Sequence, residues 1–191
     1  NSITAREILD RGATRINREL QGQPLVQAEL MDMMGQVYES LGLYDAALPL
    51  LETALTTRKK YLGEMRLEVA ATIVNIGSVL WHKGEYEKAK TLLEQGLAIR
   101  EKSLGPDHPL VASSLHNLGN LYWSQGNYDQ ARLVLERALS IREKAFGPEH
   151  SDVASTLNTL GAIAYRQGNL TEADRLWQRT LAIREKMLGP D

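Results

Sequence analysis

Histidine is the side chain of this sequence that can take part in the most kinds of chemistry, because it binds metals and transfers protons near neutral pH. His108 and His150 recur at one loop position, which favours a structural role at the start of a helix. His82 and His116 lie on the first helices of adjacent repeats, but their positions along those helices differ by about eight residues. At a rise of ~1.5 Å per residue they are ~12 Å apart along the helix axis, which is too far for both to bind one metal ion. Neither HExxH, a phosphate-binding glycine loop nor a nucleophile elbow occurs. We therefore expect no catalytic site, no metal and no cofactor.

A row of carboxamides recurs along the sequence at a nearly constant step. Asn75 and Asn117 are 42 residues apart, Asn158 lies close to the next step, and Asn120 and Gln36 extend the row. A carboxamide both donates and accepts hydrogen bonds, so such a row can hold the backbone of a bound peptide whatever its sequence. Asparagine is also a poor helix former, which makes its repetition within helices informative. The alternative is that each asparagine bonds to the neighbouring repeat.

An aromatic series keeps the same step of 42 residues. It consists of Trp81, Trp123 and Tyr165, while Glu39 holds the corresponding earlier position. Large aromatic side chains with a polar atom are enriched at binding hot spots. The series predicts an aromatic site towards the C-terminal half. The alternative is that the rings pack against the next repeat or the turn.

The composition excludes several classes of protein. With 43% hydrophobic and 24% charged residues the chain is too apolar for disorder. A net charge of -2 argues against nucleic acid as a partner, and no apolar run approaches the ~20 residues of a membrane span. The absence of cysteine excludes disulfides and favours a reducing, cytoplasmic location. The first residue, Asn1, and the final Gly189-Pro190-Asp191 lead us to expect a fragment of a longer protein.

Internal repetition is the strongest signal in the sequence. Three series of small residues keep a step of 42: Gly35, Gly77, Gly119 and Gly161; Gly42, Gly84, Gly126 and Gly168; and Ala47, Ala89, Ala131 and Ala173. One further step back reaches Ala5, so residues 1–21 are predicted to be the second helix of a truncated repeat. Four complete repeats are predicted at residues 24–62, 66–104, 108–146 and 150–188.

Each period predicts two amphipathic helices. In the third repeat, one helix face carries Val111, Leu115, Leu118 and Tyr122. Gly126 then turns the chain, and Gly147-Pro148 ends the second helix. Gly119 and Ala131 are expected where the two helices cross, since a larger side chain would push the helix axes apart.

These residues resemble a known family. The segment from Leu115 to Leu139, LHNLGNLYWSQGNYDQARLVLERAL, resembles a tetratricopeptide repeat. The length of 42, with GPDHPLVA at residues 105–112 and GPEHSDVA at 147–154, resembles the kinesin-light-chain type of that repeat. The resemblance implies an all-α fold, a right-handed solenoid of antiparallel helix pairs with about nine helices, as one domain over residues 1–191.

A narrower resemblance concerns the first 55 residues. The runs NSITAREILDRGATRINREL and QPLVQAELMDMMGQVYESLGLYDAALPLLETAL are similar to tetratricopeptide tails that follow bacterial serine/threonine kinase domains. The chain itself has no kinase motif. The similarity implies a parent kinase, which the repeats would regulate.

The resemblance further implies that the first helices of successive repeats line an inner groove that takes a protein or peptide segment. Helical geometry selects the residues that point away from the buried face. The predicted groove residues are Asn75, Ser78, Trp81, His116, Asn117, Asn120, Trp123, Asn158, Tyr165 and Arg166. The same step also places Asp32 and Val74 in this groove.

The remaining charged and apolar series suggest other surfaces. We expect a solvated outer helix face, with an outer partner surface as the alternative, for the charged tracts of the second helices. These are the Arg-Glu-Lys tracts that begin at Arg100, Arg142 and Arg184, and Arg58-Lys59-Lys60 in the first repeat. The last predicted helix carries Leu176, Trp177, Leu181 and Met187 as an apolar edge. Two functions are therefore open, a peptide-binding adaptor, or a regulatory module that forms homo-oligomers through its solenoid ends.

Overall fold

The computed structural model describes residues 5–20 and 22–188, and residues 1–4, 21 and 189–191 of the predicted terminal segments lie outside this part. The described part is all-α, as predicted, and its nine helices are α1 (Ala5–Glu19), α2 (Pro24–Ser40), α3 (Tyr44–Leu62), α4 (Leu67–His82), α5 (Tyr86–Leu104), α6 (Pro109–Ser124), α7 (Tyr128–Phe146), α8 (Ser151–Arg166) and α9 (Leu170–Leu188). They belong to two compact units, the first ending at Ile99 and the second beginning at Arg100. The single domain over residues 1–191 stays a prediction.

The helix ends follow from the residues at the turns. Gly126 has φ +73°, a backbone conformation that other residues rarely adopt, and its N–H donates to the Trp123 carbonyl. Gly147, with φ +83°, ends α7 by donating to the Glu143 carbonyl. These two turns separate α6 from α7 and α7 from α8, so successive helices are antiparallel neighbours.

The two loop histidines begin helices, as predicted. His108 Nδ1 accepts a hydrogen bond of 3.1 Å from the Leu110 N–H, and His150 Nδ1 accepts one of 3.1 Å from the Asp152 N–H. Each ring therefore satisfies an N–H group that has no partner within its helix. Pro109 follows His108 at the first helical position, where its missing N–H costs nothing.

Close approach within each hairpin depends on glycine. A Cβ atom at Gly119 of α6 would lie 2.5 Å from Leu135 Cγ of α7, and one at Gly35 of α2 would lie 2.5 Å from Leu51 Cγ of α3. The prediction that Gly119 lies where the two helices cross is confirmed. The core of the second unit continues from Leu135 through the buried faces of α8 and α9. Each first helix is thereby fixed in rotation, which sets the direction of its remaining side chains.

Candidate functional site

The predicted site residues of the second unit lie on α6 and α8, which contact each other. Those on α6 are half-buried, namely His116, Asn117, Asn120 and Trp123. Those on α8 are exposed, namely Asn158, Tyr165 and Arg166. We call the side of α6 and α8 that carries these seven residues the inner face. In the first unit α2 and α4 also contact each other, so the first helices of successive repeats are neighbours within each unit.

His116 is held neutral by its surroundings. Burial, and then the positive charge of Arg142, lower the pKa of His116 to about 4. Arg142 Nη1 lies 3.3 Å from His116 Nδ1. Because a guanidinium can only donate, Nδ1 is the acceptor and the ring proton resides on Nε2. His116 thus offers a neutral N–H donor at neutral pH.

Trp123 contributes to the core of the second unit. Its ring is half-buried and packs against the apolar cluster of α7, α8 and α9. Its Nε1 is buried and has no hydrogen-bond partner among the residues that the structure describes. These contacts match the alternative in which the aromatic series packs against the repeats. Binding by Trp123 stays a prediction.

Tyr165, at the exposed end of the inner face, forms an aromatic pair with Trp177 of α9. The Tyr165 ring, 55% exposed, lies 5.8 Å from the Trp177 ring of α9 at an interplanar angle of 40°. Trp177 Nε1 donates to the Asn158 carbonyl over 3.3 Å. The sequence analysis placed Trp177 at the apolar edge and missed its contact with Tyr165. It placed Leu176 at the same edge, which was wrong, because Leu176 is buried in the core of the second unit. A signal was present, since Trp177 stands 42 residues after Leu135 and interrupts a leucine series that includes Leu93.

The predicted site residues of the first unit, all on α4, form contacts that partly occupy them. Asn75 Nδ2 donates to Asp32 Oδ2 of α2 over 3.2 Å, and Ser78 Oγ donates to Glu39 Oε1 of α2. The Trp81 ring lies 4.4 Å from the ring of His82, its neighbour in sequence. Asn75 therefore bonds to the preceding repeat, which was the alternative to groove contact.

Two residues expected in the groove are buried instead. Three neighbours enclose Asp32: Gln36 and Asn75 both donate to its Oδ2, and Arg58 forms an ion pair of 3.4 Å with Oδ1, which accepts no hydrogen bond from the residues that the structure describes. Val74 is buried against α5, where a Cβ atom at Gly96 would lie 2.5 Å from its Cγ2. The prediction was wrong for both, because contacts with the neighbouring helix decide burial on this side.

The expectation of a solvated arginine face was wrong for three of the four arginines. Arg58, Arg100 and Arg142 are only 9%, 8% and 6% exposed, whereas Arg184 is exposed. Burial lowers the pKa of Arg100 and of Arg142 from the usual value, and guanidinium groups nevertheless stay protonated in proteins. A buried positive charge needs hydrogen-bond acceptors, and the following first helix supplies them.

The three buried arginines bond to acceptors at equivalent repeat positions, 10 and 14 residues further along the chain. Arg142 Nη1 donates to the Asp152 carbonyl over 3.0 Å and to Thr156 Oγ1 over 2.6 Å. Arg100 Nη1 bonds likewise to the Leu110 carbonyl and Ser114 Oγ, and Arg58 Nη1 to the Glu68 carbonyl and Thr72 Oγ1. We call this arrangement the Arg–hydroxyl junction. It ties α3 to α4 in the first unit and α7 to α8 in the second. The sequence signal for it was a hydroxyl residue 14 positions after each of the three arginines.

The described part of the chain contains neither a cluster of metal ligands nor a membrane-spanning helix. Among residues 5–20 and 22–188, no group of three or more His, Asp or Glu side chains is placed to hold a metal ion. Within the same residues, no helix combines the length and the apolar character that crossing a membrane requires.

Helical hairpins that recur every 42 residues define an α-helical repeat protein. Models of the family described as tetratricopeptide repeat match residues 27–64, 68–144 and 153–191, which is most of the chain. The chain belongs to the tetratricopeptide repeat family. It is an all-α solenoid of that type and a protein-interaction module rather than an enzyme.

Solved structures agree with this assignment. BtubC (BKLC) from P. vanneervenii matches with a TM-score of 0.80 and 25% identity over 98% of this chain and 74% of its own. A Podosopora anserina protein with nearly identical TPR-like repeats of kinesin light chain type matches with a TM-score of 0.71 and 24% identity, over 95% of this chain and 86% of its own. The kinesin-light-chain type of repeat is thereby confirmed. No curated protein matches the sequence, and the similarity to kinase tails stays a prediction.

Proposed function

We propose that the inner face of α6 and α8 binds a peptide or protein segment of a partner. The observation that carries the proposal is the exposed aromatic pair of Tyr165 and Trp177 beside Asn158. Aromatic rings with polar atoms give much contact area for little loss of side-chain freedom, and they dominate many interfaces.

Polar groups around the pair suit a peptide backbone. Asn117 and Asn120 of α6 are half-buried, and Asn158 of α8 is exposed at its side chain. Each carboxamide has two N–H groups and one carbonyl oxygen for hydrogen bonds. Arg166 adds an exposed positive charge at the end of α8, which favours an acidic residue in the bound segment.

A peptide library selected on the whole chain tests the proposal. The selected peptide, labelled with fluorescein, is titrated with the wild-type protein, with Tyr165→Ala, and with the control Lys144→Ala on the exposed side of α7. Loss of an aromatic anchor raises Kd by about tenfold or more, and an exposed control changes it little. Equal affinity of all three proteins refutes the inner face as the binding site.

The other functional readings stay predictions. They are regulation of a serine/threonine kinase, homo-oligomers formed through the solenoid ends, contacts of Asn75, Ser78 and Trp81 with the partner, and a cytoplasmic location. Light scattering over a range of protein concentrations tests the homo-oligomer, because its average mass rises with concentration.

A further inference from the structure

Glu39 is a half-buried carboxylate that no bonded cation neutralises. It lies near the end of α2, at the position where the aromatic series is interrupted, and only 16% of its side chain is exposed. Ser78 of α4 donates a hydrogen bond to its Oε1. His82 Nε2 lies 3.8 Å from the same oxygen, which is beyond hydrogen-bond distance. Among the residues that the structure describes, Ser78 is therefore the one that bonds to this carboxylate.

The neighbouring lysine is committed to another carboxylate. Lys83 follows His82, and its Nζ lies 2.6 Å from Asp45 Oδ1 of α3. This hydrogen bond lowers the pKa of Asp45 and raises the pKa of Lys83, so both groups stay charged and neutralise each other. Glu39 keeps its negative charge, and a half-buried carboxylate without a cation gains from binding one.

Three aromatic rings lie beside this carboxylate. The rings of Tyr44 and His82 are stacked, with centroids 5.3 Å apart and an interplanar angle of 9°. The Trp81 ring lies 4.4 Å from the His82 ring, and an open cavity of about 310 Å³ borders Tyr44. A guanidinium is planar, so it can lie against an aromatic ring while its N–H groups donate to a carboxylate. The arrangement therefore suits an arginine side chain.

The second unit carries the opposite charge at the equivalent positions. Two steps of 42 residues after Glu39 stands Trp123, and two steps after His82 stands Arg166. The first unit thus combines a carboxylate with a histidine ring, where the second combines an indole ring with a guanidinium. Since Arg166 favours an acidic residue in a bound segment, Glu39 favours a basic one.

We propose that Glu39, Tyr44 and His82 form a binding site for an arginine side chain of a partner protein. The guanidinium lies against the ring stack and donates to Glu39 Oε2, while Oε1 keeps its bond from Ser78. The site belongs to the first unit and shares no residue with the inner face of α6 and α8. The two proposals therefore fail independently.

N-acetylarginine methylamide is the probe, and N-acetyllysine methylamide is its matched control. NMR follows the ring signals of Tyr44, Trp81 and His82 while the whole chain is titrated with each compound. We expect saturable shifts with a Kd of about 10 mM for the arginine probe and at least about fivefold weaker binding of the lysine probe. Absence of saturable shifts at these rings overturns the proposal. Equal affinities for the two probes overturn the assignment to a guanidinium.

Three variants test which groups bind the probe. Glu39→Gln keeps an oxygen for Ser78 but removes the charge, and it should raise Kd at least about fivefold. Tyr44→Leu keeps apolar volume but removes the ring, and it should raise Kd about threefold. Glu52→Gln, at an exposed position of α3, should leave Kd unchanged. Urea unfolding verifies that each variant is folded, and equal binding by the wild type and Glu39→Gln overturns the assignment to Glu39.

Two further outcomes identify other occupants or sites. Tyr165→Ala, which tests the inner face, is expected to leave the Kd of the arginine probe unchanged, and loss of probe binding in that variant means that the proposal is wrong. If the free protein associates with itself, and both Glu39→Gln and Arg166→Gln abolish the association, the occupant is Arg166 of a second copy. The commitment to a partner protein then fails.

Discussion

Replacement of Arg142 by methionine tests whether the Arg–hydroxyl junction holds successive repeats together. Arg142 is 6% exposed, and its Nη1 reaches the Asp152 carbonyl, Thr156 Oγ1 and His116 Nδ1. Methionine keeps the aliphatic volume of the side chain, so the change removes mainly hydrogen bonds and charge. Hydrogen bonds to a charged group contribute ~1.5–3 kcal/mol each, and relief of the buried charge offsets part of the loss. We expect the free energy of unfolding to fall by about 2–4 kcal/mol.

Urea unfolding followed by circular dichroism measures this loss, with Lys144→Met as the exposed control on the same helix, expected within about 0.5 kcal/mol of the wild type. A double-mutant cycle with Thr156→Val isolates the contact between the two side chains. We expect a coupling energy of about 1 kcal/mol or more. A fall in stability no larger than that of the control, or a coupling energy near zero, refutes the reasoning.

Three other changes give separate tests. The pKa of His116 is lowered to about 4 in the folded protein, so the unfolded chain takes up the proton first as the pH falls. The free energy of unfolding is therefore constant above the ordinary histidine pKa of ~6.5 and falls by up to about 3 kcal/mol as the pH drops to about 4. His116→Asn should remove this part of the pH dependence, as measured by urea unfolding across the same range. Gly119→Ala places a Cβ atom 2.5 Å from Leu135 Cγ and should lower stability by about 1–3 kcal/mol in urea unfolding, and an unchanged midpoint would contradict the close approach. Leu118→Ala should cost ~2–5 kcal/mol in the same assay through the cavity it leaves, and a loss below 1 kcal/mol would argue against its burial.

The fold was predictable because its signals are local or strictly periodic. The turn at Gly126 depends on its own backbone conformation, and the cap at His108 involves the N–H group two residues on. The close approach at Gly119 follows from the absence of a side chain at a repeated position. None of these inferences requires knowing which helices are neighbours in space beyond a single hairpin.

The contacts between repeats were less predictable, because a charged side chain reads as exposed until its partner is known. Arg142 is buried by acceptors that lie 10 and 14 residues further along the chain, on another helix. Asp32 was expected in a groove, but Arg58 and Asn75 enclose it. Whether such a residue is buried depends on how two helices pack against each other. The residue type alone does not predict that packing.

The direct test of the interaction module is where a selected ligand lies on the second unit. A photo-reactive group in the middle of the selected peptide is activated on the whole chain, and the attachment sites are located by mass spectrometry. We predict attachment within residues 116–123 of α6 and 158–166 of α8. Attachment confined to the outer side of α7, where Leu133 is exposed, would contradict the account.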